Sequence, residues 1–472
     1  MKRILFICGI LSLLAFTLSA CGTDPTERAV GEKDNVLILG TTSTSPTPTF
    51  NLVAAPNVIS TGDGDSMYMW LYGLTAATVQ YPGPTLIVNQ GAQVTIQLTS
   101  QLPVATSLVF PGQSVTATGG AAGLLTREVP ASSAGQVTYK FTANKPGTYF
   151  YQSGTRPDLQ AEMGLAGTII VRPTGFSNTV TCTPSTSSCR KSYGDLSTAY
   201  DREYLFFLTE ADPLIHQKVA FAPVSEIAAG FPSVDMTQRH ATDWFINGRN
   251  FPDTMTDANV PWLPTQPYNA FPRLHPGEKV LMRMVGAGAD LHPFHTHGQN
   301  HLVIARDARV LSTNVLSAAN PAADLAVSDY TTTAVPGETV DAIWGPWTGA
   351  KLGWDIYGTT QIHPHTCTPN ATGFDPTTRE YCADHNKPIP VTLPSESYVA
   401  FGSMYGGTPY LGVPGSLPPL NQDGTVHVQQ NPQAGLSFMW HSHSERELTT
   451  NDIFIGGMAT MGLVLPMGVA IP

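Results

Sequence analysis

Apolar residues recur at every second position in several short stretches of the chain, the mark of half-buried strands, because successive strand side chains point to opposite faces. Leu86 and Val88 lead into Val94, Ile96 and Leu98, and a second group holds Tyr149-Phe150-Tyr151 and Thr168-Ile169-Ile170-Val171. Turn residues separate them at Tyr81-Pro82-Gly83-Pro84-Thr85, Asn89-Gln90-Gly91-Ala92 and Lys145-Pro146-Gly147-Thr148, where Pro presets φ and Gly frees it. One strand-rich domain is therefore expected over 49–173. After a Ser/Thr-rich connector at 174–203, the pattern resumes with Tyr204 to Leu208, Trp244-Phe245-Ile246-Asn247-Gly248 and Val280 to Met284, and it returns at Leu436 to His441 and Met458 to Leu465. A second domain over 204–472 follows, interrupted at about 353–436 by a Pro-, Gly-, Thr- and Asn-rich insertion without periodicity. The pattern predicts an all-β protein of two domains.

Composition sharpens this picture. Hydrophobic residues make up 42% and charged ones only 12%, with 43 Gly and 39 Pro, which suits many short strands joined by turns. The formal net charge is -11 and the mature part has no Lys/Arg cluster, so no nucleic-acid partner is expected. At the start, Lys2 and Arg3 precede an apolar run from Ile4 to Ala20, too short for a membrane span and suited to a signal peptide over 1–20. It ends in Leu18-Ser19-Ala20-Cys21, which resembles the lipobox of bacterial lipoproteins. The resemblance implies acylation of Cys21, with a lipid-anchored protein at the outer membrane or cell surface and a Thr/Ser/Pro-rich tether over 21–48. Of the remaining cysteines, Cys182 lies near Cys189 and Cys367 near Cys382. Two local disulfides fit an exported chain, and neither spacing fits a zinc-thiolate motif.

The histidines carry the chemical signal. Random placement of 13 His in 472 residues gives about 0.4 His-X-His pairs, yet three occur: His295-Thr296-His297, His363-Pro364-His365 and His441-Ser442-His443. On a strand, residues i and i+2 share a face, so each pair aims two imidazoles at one place, and two such strands side by side offer four nitrogens. Imidazole suits copper, zinc, iron and nickel. His295, His297, His441 and His443 are the expected ligands, with His292, His363 and His365 as further candidates.

The segment His292-Pro293-Phe294-His295-Thr296-His297-Gly298 resembles the His-Pro-X-His-X-His-Gly motif of multicopper oxidases, and Trp440-His441-Ser442-His443 resembles their terminal His-Cys-His motif. Gly83-Pro84-Thr85-Leu86 and Gly164 to Val171 look like strands of the family's first domain, while Asn247-Gly248-Arg249 and Pro336-Gly337-Glu338 with Asp341 look like landmarks of a later one. The resemblance implies two cupredoxin-like Greek-key β-barrels and copper as the metal, with zinc as the alternative. It also implies a chain without the middle domain of three-domain members.

The same resemblance implies what has been lost. Ser442 stands at the cysteine that holds the family's type 1 copper, Glu447 at its second histidine and Asp452 at its axial methionine. In the first domain, Val109, Pro111, Gln152 and Gly154 fall at trinuclear ligand positions. A laccase-type four-electron route is therefore not expected, although the family is one of oxidoreductases. Glu445 and Glu447 read as solvated loop carboxylates, and Met282, Met284, Met458 and Met461 as core residues. Three functions stay open: a copper redox protein, a surface carrier of copper or zinc without turnover, and a metal-free scaffold. Two-domain relatives that assemble as homo-oligomers leave self-association open as well.

Overall fold

The computed structural model describes residues 38–345 except 181, 184–185, 187, 232, 275–277, 299 and 317–318, and then 368–371, 403–405, 436–464 and 471. Val36–Ile471 forms a single compact unit by its contacts, and within it the large sheets fall into two pairs, beside a small ribbon of Ala121–Ala122 with Arg127–Glu128. The all-β expectation holds. The proposed signal peptide, Cys21, His363, His365, Cys367, Cys382 and most of the 353–436 insertion lie outside the described residues.

In the first pair, a four-stranded sheet runs Thr41–Ser43, Gly83–Asn89, Ala166–Arg172, Gly147–Gln152. It faces a six-stranded sheet in the order Val79–Gln80, Ser66–Gly73, Thr49–Ser60, Gln93–Ser100, Val137–Thr142, Thr116–Gly119. The alternation seen in the sequence becomes burial: in Gln93–Ser100, Val94, Ile96 and Leu98 point inward and the residues between them are exposed or half-buried. These residues join Trp70, Tyr72, Tyr139, Tyr151 and Ile169 in one core. The chain enters the sheet at Thr41–Ser43, paired in parallel with Leu86–Val88, within the stretch that its Thr and Ser content had assigned to the tether. β-Branched Thr suits a strand as readily as a linker.

Helices, which the pattern had not suggested, occur at Pro157–Glu162, Pro213–Ala220 and Val224–Ala228. The second is readable in hindsight: the Asp212 carboxylate accepts from the Leu214 N–H and Pro213 opens the helix, the usual N-terminal pairing. Cys182 and Cys189 form the expected disulfide in the connector.

In the second pair, the larger sheet runs Arg309–Val310, His301–Arg306, Thr339–Trp344, Val280–Gly286, Arg202–Ala211, Asp243–Ile246, Thr449–Thr450, Ile453–Phe454. The smaller runs Arg273–Leu274, Ala459–Val464, Leu436–Ser442, His292–Thr296, Thr331–Ala334. Between them lie Phe206, Met282, Met284, Phe294, Trp344, Trp440 and Met458, so the methionines are core residues. Trp440 packs with tilted rings 5.3 Å from Trp344 and 5.9 Å from Phe206. Gly462 lets it do so, since a Cβ there would come within 2.8 Å of the indole.

Candidate metal centre

Strand parity builds the site. His292–Thr296 pairs antiparallel with Leu436–Ser442 so that His295 lies directly opposite His441. The ladder continues past both ends, with the His297 N–H donating to the Met439 carbonyl at 3.1 Å and the His443 N–H to the Pro293 carbonyl at 2.8 Å. His295, His297, His441 and His443 thus share one face of the sheet, while Phe294, Thr296, Trp440 and Ser442 point into the core. Gly298, at φ +91°, turns the chain away just after His297, a conformation that a side chain would strain.

The rings meet on that face. His295 stands 4.6 Å from His297, 5.4 Å from His441 and 4.9 Å from His443 between centroids. Nitrogens of His295, His297 and His441 all lie within 4.8 Å of one another, and Nε2 of His441 is 3.2 Å from Nε2 of His297. Two imidazole nitrogens on one tetrahedral ion, with bonds of ~2.0–2.1 Å, sit ~3.3 Å apart. The His297–His441 pair therefore already fits an ion, and His295 reaches it by an inward swing of up to about 1.5 Å.

Outer contacts orient the rings. Nδ1–H of His441 donates to the Ser442 carbonyl at 2.6 Å and leaves its Nε2 lone pair for the centre, while Nδ1 of His295 lies 2.8 Å from Thr331 Oγ1, a hydroxyl able to accept from it when Nε2 takes a metal, the arrangement usual around metal-bound histidine. Burial, reinforced by the neighbouring imidazoles His441 and His443, pushes His295 down to about 4. Burial also lowers His441. Both rings are neutral at physiological pH, so no proton competes with a metal there. His443 flanks the three: half-exposed, it has Nδ1 3.2 Å from the Glu445 carboxylate. The Tyr330 ring stands edge-on to His295 at 5.7 Å.

His292 is not with them, which corrects its place among the candidate ligands. Three residues from His295, it falls on the opposite face of the strand. It is fully buried, with Nδ1 2.8 Å from Glu447 Oε2 and Nε2 2.9 Å from Glu210 Oε2. Both ring nitrogens are engaged by carboxylates and neither is open to a metal. Glu447 is likewise no solvated loop carboxylate but a buried partner of His292, whereas Glu445 is exposed. Sequence reasoning missed Thr331 and Glu210, which no motif marks.

In the first sheet pair, the segments that the resemblance aligned with copper-binding strands do pair with each other. The Val109 N–H donates to the Gln152 carbonyl at 2.8 Å, and the Gln152 N–H to the Val109 carbonyl at 3.2 Å. Val109, Pro111 and Gly154 supply no ligand side chain, and Gln152 supplies no imidazole.

Comparison with known proteins matches residues 73–175 to the multicopper oxidase family. Over 95 residues the chain is 35% identical to "Laccase abr2" of Aspergillus fumigatus, covering 20% of this chain and 16% of that one. Over 101 residues it is 38% identical to "Iron transport multicopper oxidase fetC" of Epichloe festucae, covering 21% and 16%. The match thus spans about a sixth of these relatives' length. Among solved structures, the blue copper oxidase of Nitrosomonas europaea superposes with a TM-score of 0.47 at 17% identity, over 88% of this chain and 84% of that one. The multicopper oxidase mgLAC gives 0.48 at 16% identity, over 90% and 87%.

Proposed function

We propose that this chain, related to the multicopper oxidases through residues 73–175, binds one copper ion through His295, His297 and His441. The observation that carries the reading is the convergence of three imidazole nitrogens within 4.8 Å from two paired strands. Three protein ligands with a further position facing solvent are the pattern of a reactive rather than a closed structural centre. His443, half-exposed beside the three, stands where it can meet a fourth ligand or a substrate. A bound copper would supply one-electron redox chemistry.

The chain's own residues define the rest. Thr331 and the Ser442 carbonyl aim the ring nitrogens, and the Tyr330 ring walls one side of the centre. With Ser442 at the thiolate position and no imidazole at 109, 111, 152 or 154, the reading favours one-electron oxidation of a small organic or metal-ion donor, in which a bound Cu(II) would be reduced to Cu(I), over a four-electron laccase route.

Copper stoichiometry after removal of adventitious metal tests the reading. About one copper per chain, with a spin-resonance pattern of nitrogen ligands and no intense thiolate band, is expected; a metal-free protein after incubation with Cu(II) would refute it. We propose further that Cys21 carries lipid. Cys21→Ser should move the protein from the membrane fraction to the soluble one, and unchanged fractionation would remove the anchor from the account. Among the described residues no helix is long and apolar enough to cross a membrane.

A further inference from the structure

The two most deeply buried histidines of the sheet pair that holds the cluster, His292 and His301, have opposite surroundings, and the contrast fixes their charge. His301 places Nδ1 2.9 Å from Thr296 Oγ1 and Nε2 2.7 Å from Thr332 Oγ1. A hydroxyl donates or accepts, so a neutral ring satisfies both contacts. Burial pushes His301 down to about 4. His292 faces two carboxylates, at 2.8 Å and 2.9 Å, which as anions only accept. A neutral ring would turn a lone pair against one of them in a water-free place, so the geometry calls for an imidazolium.

The three groups belong to three separate segments. Glu210 is the next-to-last residue of the Arg202–Ala211 strand, and its Oε1 also accepts from the backbone N–H groups of Ala289 and Asp290 and from Arg239. His292 opens the strand that carries His295 and leads into His297. Glu447 lies in the 3-10 turn Glu445–Leu448, just past His441 and His443. The charged groups facing His292 are Glu210 and Glu447, with Arg239 bound in turn to Glu210, Glu162 and Asp290.

We propose that Glu210, His292 and Glu447 form an ionic clamp that positions the two imidazole-bearing strands, so that the proton on His292 controls the spacing of the cluster on the other face. His292 acts as a positioning residue through His295 and His441. Although burial alone would lower it, the hydrogen bonds and charges of Glu210 and Glu447 carry His292 up to about 9. The clamp is therefore closed at neutral pH and opens in alkali. Its link to metal affinity rests on the copper reading above, whereas the clamp itself does not.

The test uses the full mature chain labelled with 15N-histidine and free of metal, titrated from pH 6 to 10 by long-range 1H–15N correlation. His292 should show two protonated nitrogens up to about pH 9 and His301 one throughout, with the His295 and His441 resonances moving at the His292 midpoint. A neutral His292 at pH 7, or cluster resonances that ignore its transition, would overturn the clamp. Glu447→Gln keeps shape but removes one anion. It should lower the His292 midpoint by about one unit and weaken Cu(II) binding at pH 8 by ~10-fold in chelator competition. Unchanged affinity in a folded Glu447→Gln variant would remove the link to the metal. Failure of the wild type to take up copper would sink the copper reading, while the resonance coupling would still decide the clamp.

Discussion

Alanine at His441 is expected to abolish stoichiometric copper uptake while leaving the fold intact. Its ring is the most buried of the four, lies across the ladder from His295 and has Nε2 3.2 Å from Nε2 of His297. Removing it takes away one of three converging nitrogens and opens the pair that already has ligand spacing. The loss should be at least about 100-fold, beyond the ~10–100-fold typical of losing an outer partner. Thr331→Val, which removes only the oxygen orienting His295 Nδ1, should fall within that outer range. His443→Ala should cost least, because its Nδ1 is already engaged by Glu445 and its ring only flanks the group of three. Competition against a chelator of known affinity would rank the variants. If His443→Ala proved the most damaging, the centre would have to be rebuilt around a different trio.

Parity made most of this centre legible. Two His-X-His segments on strands of alternating burial had to present their imidazoles in pairs, and the ladder sets His295 against His441. The same rule, taken one step further, would have separated His292 from the cluster, since an odd offset on a strand reverses the face. Family likeness placed His292 among the candidates because in that likeness it accompanies a copper. Its actual partners could not be read from the chain: Glu210 is 82 positions away and Glu447 is 155, and no local spacing encodes such a meeting. Core strands such as Val94-Ile96-Leu98 were visible because their alternation is local. The helix Pro213–Ala220 was missed although Asp212 and Pro213 announce it, because the surrounding strand pattern outweighed a two-residue signal. Thr331 escaped for a different reason: an orienting hydroxyl looks in sequence like any strand threonine.

Buried charge is a second theme of this fold, and it sets the largest expected loss of stability. Arg283 lies fully buried in the Val280–Gly286 strand. Its Nε donates to Glu203 at 2.9 Å and one terminal nitrogen to Thr148 at 2.9 Å, 3.6 Å from Asp341. Glu203 is also paired with Arg172, and Asp341 accepts from Thr148 and Tyr193. This network joins Thr148 and Arg172 of the first sheet pair to the second. Arg283→Met keeps most of the volume but strands carboxylate charge in a dry interior, a change that costs ~3–5 kcal/mol. The melting midpoint should fall by roughly 5–15 °C. Burial alone would raise the Glu203 carboxyl, yet Arg172 and Arg283 hold it down to about 2. A depressed folded value contributes stability that is complete above the unfolded value near 4.5 and is lost as pH falls toward 2. The deficit of Arg283→Met should therefore be largest at neutral pH and shrink below pH 4. Adding Asp341→Asn should recover part of it, because Glu203 keeps Arg172 whereas Asp341 loses the cation it faces, and the double variant no longer buries that stranded anion. An Arg283→Met protein that melts with the wild type at pH 7 would mean that water or a rearranged Arg172 already neutralises the site, and that the buried arginine is not what holds the two sheet pairs together.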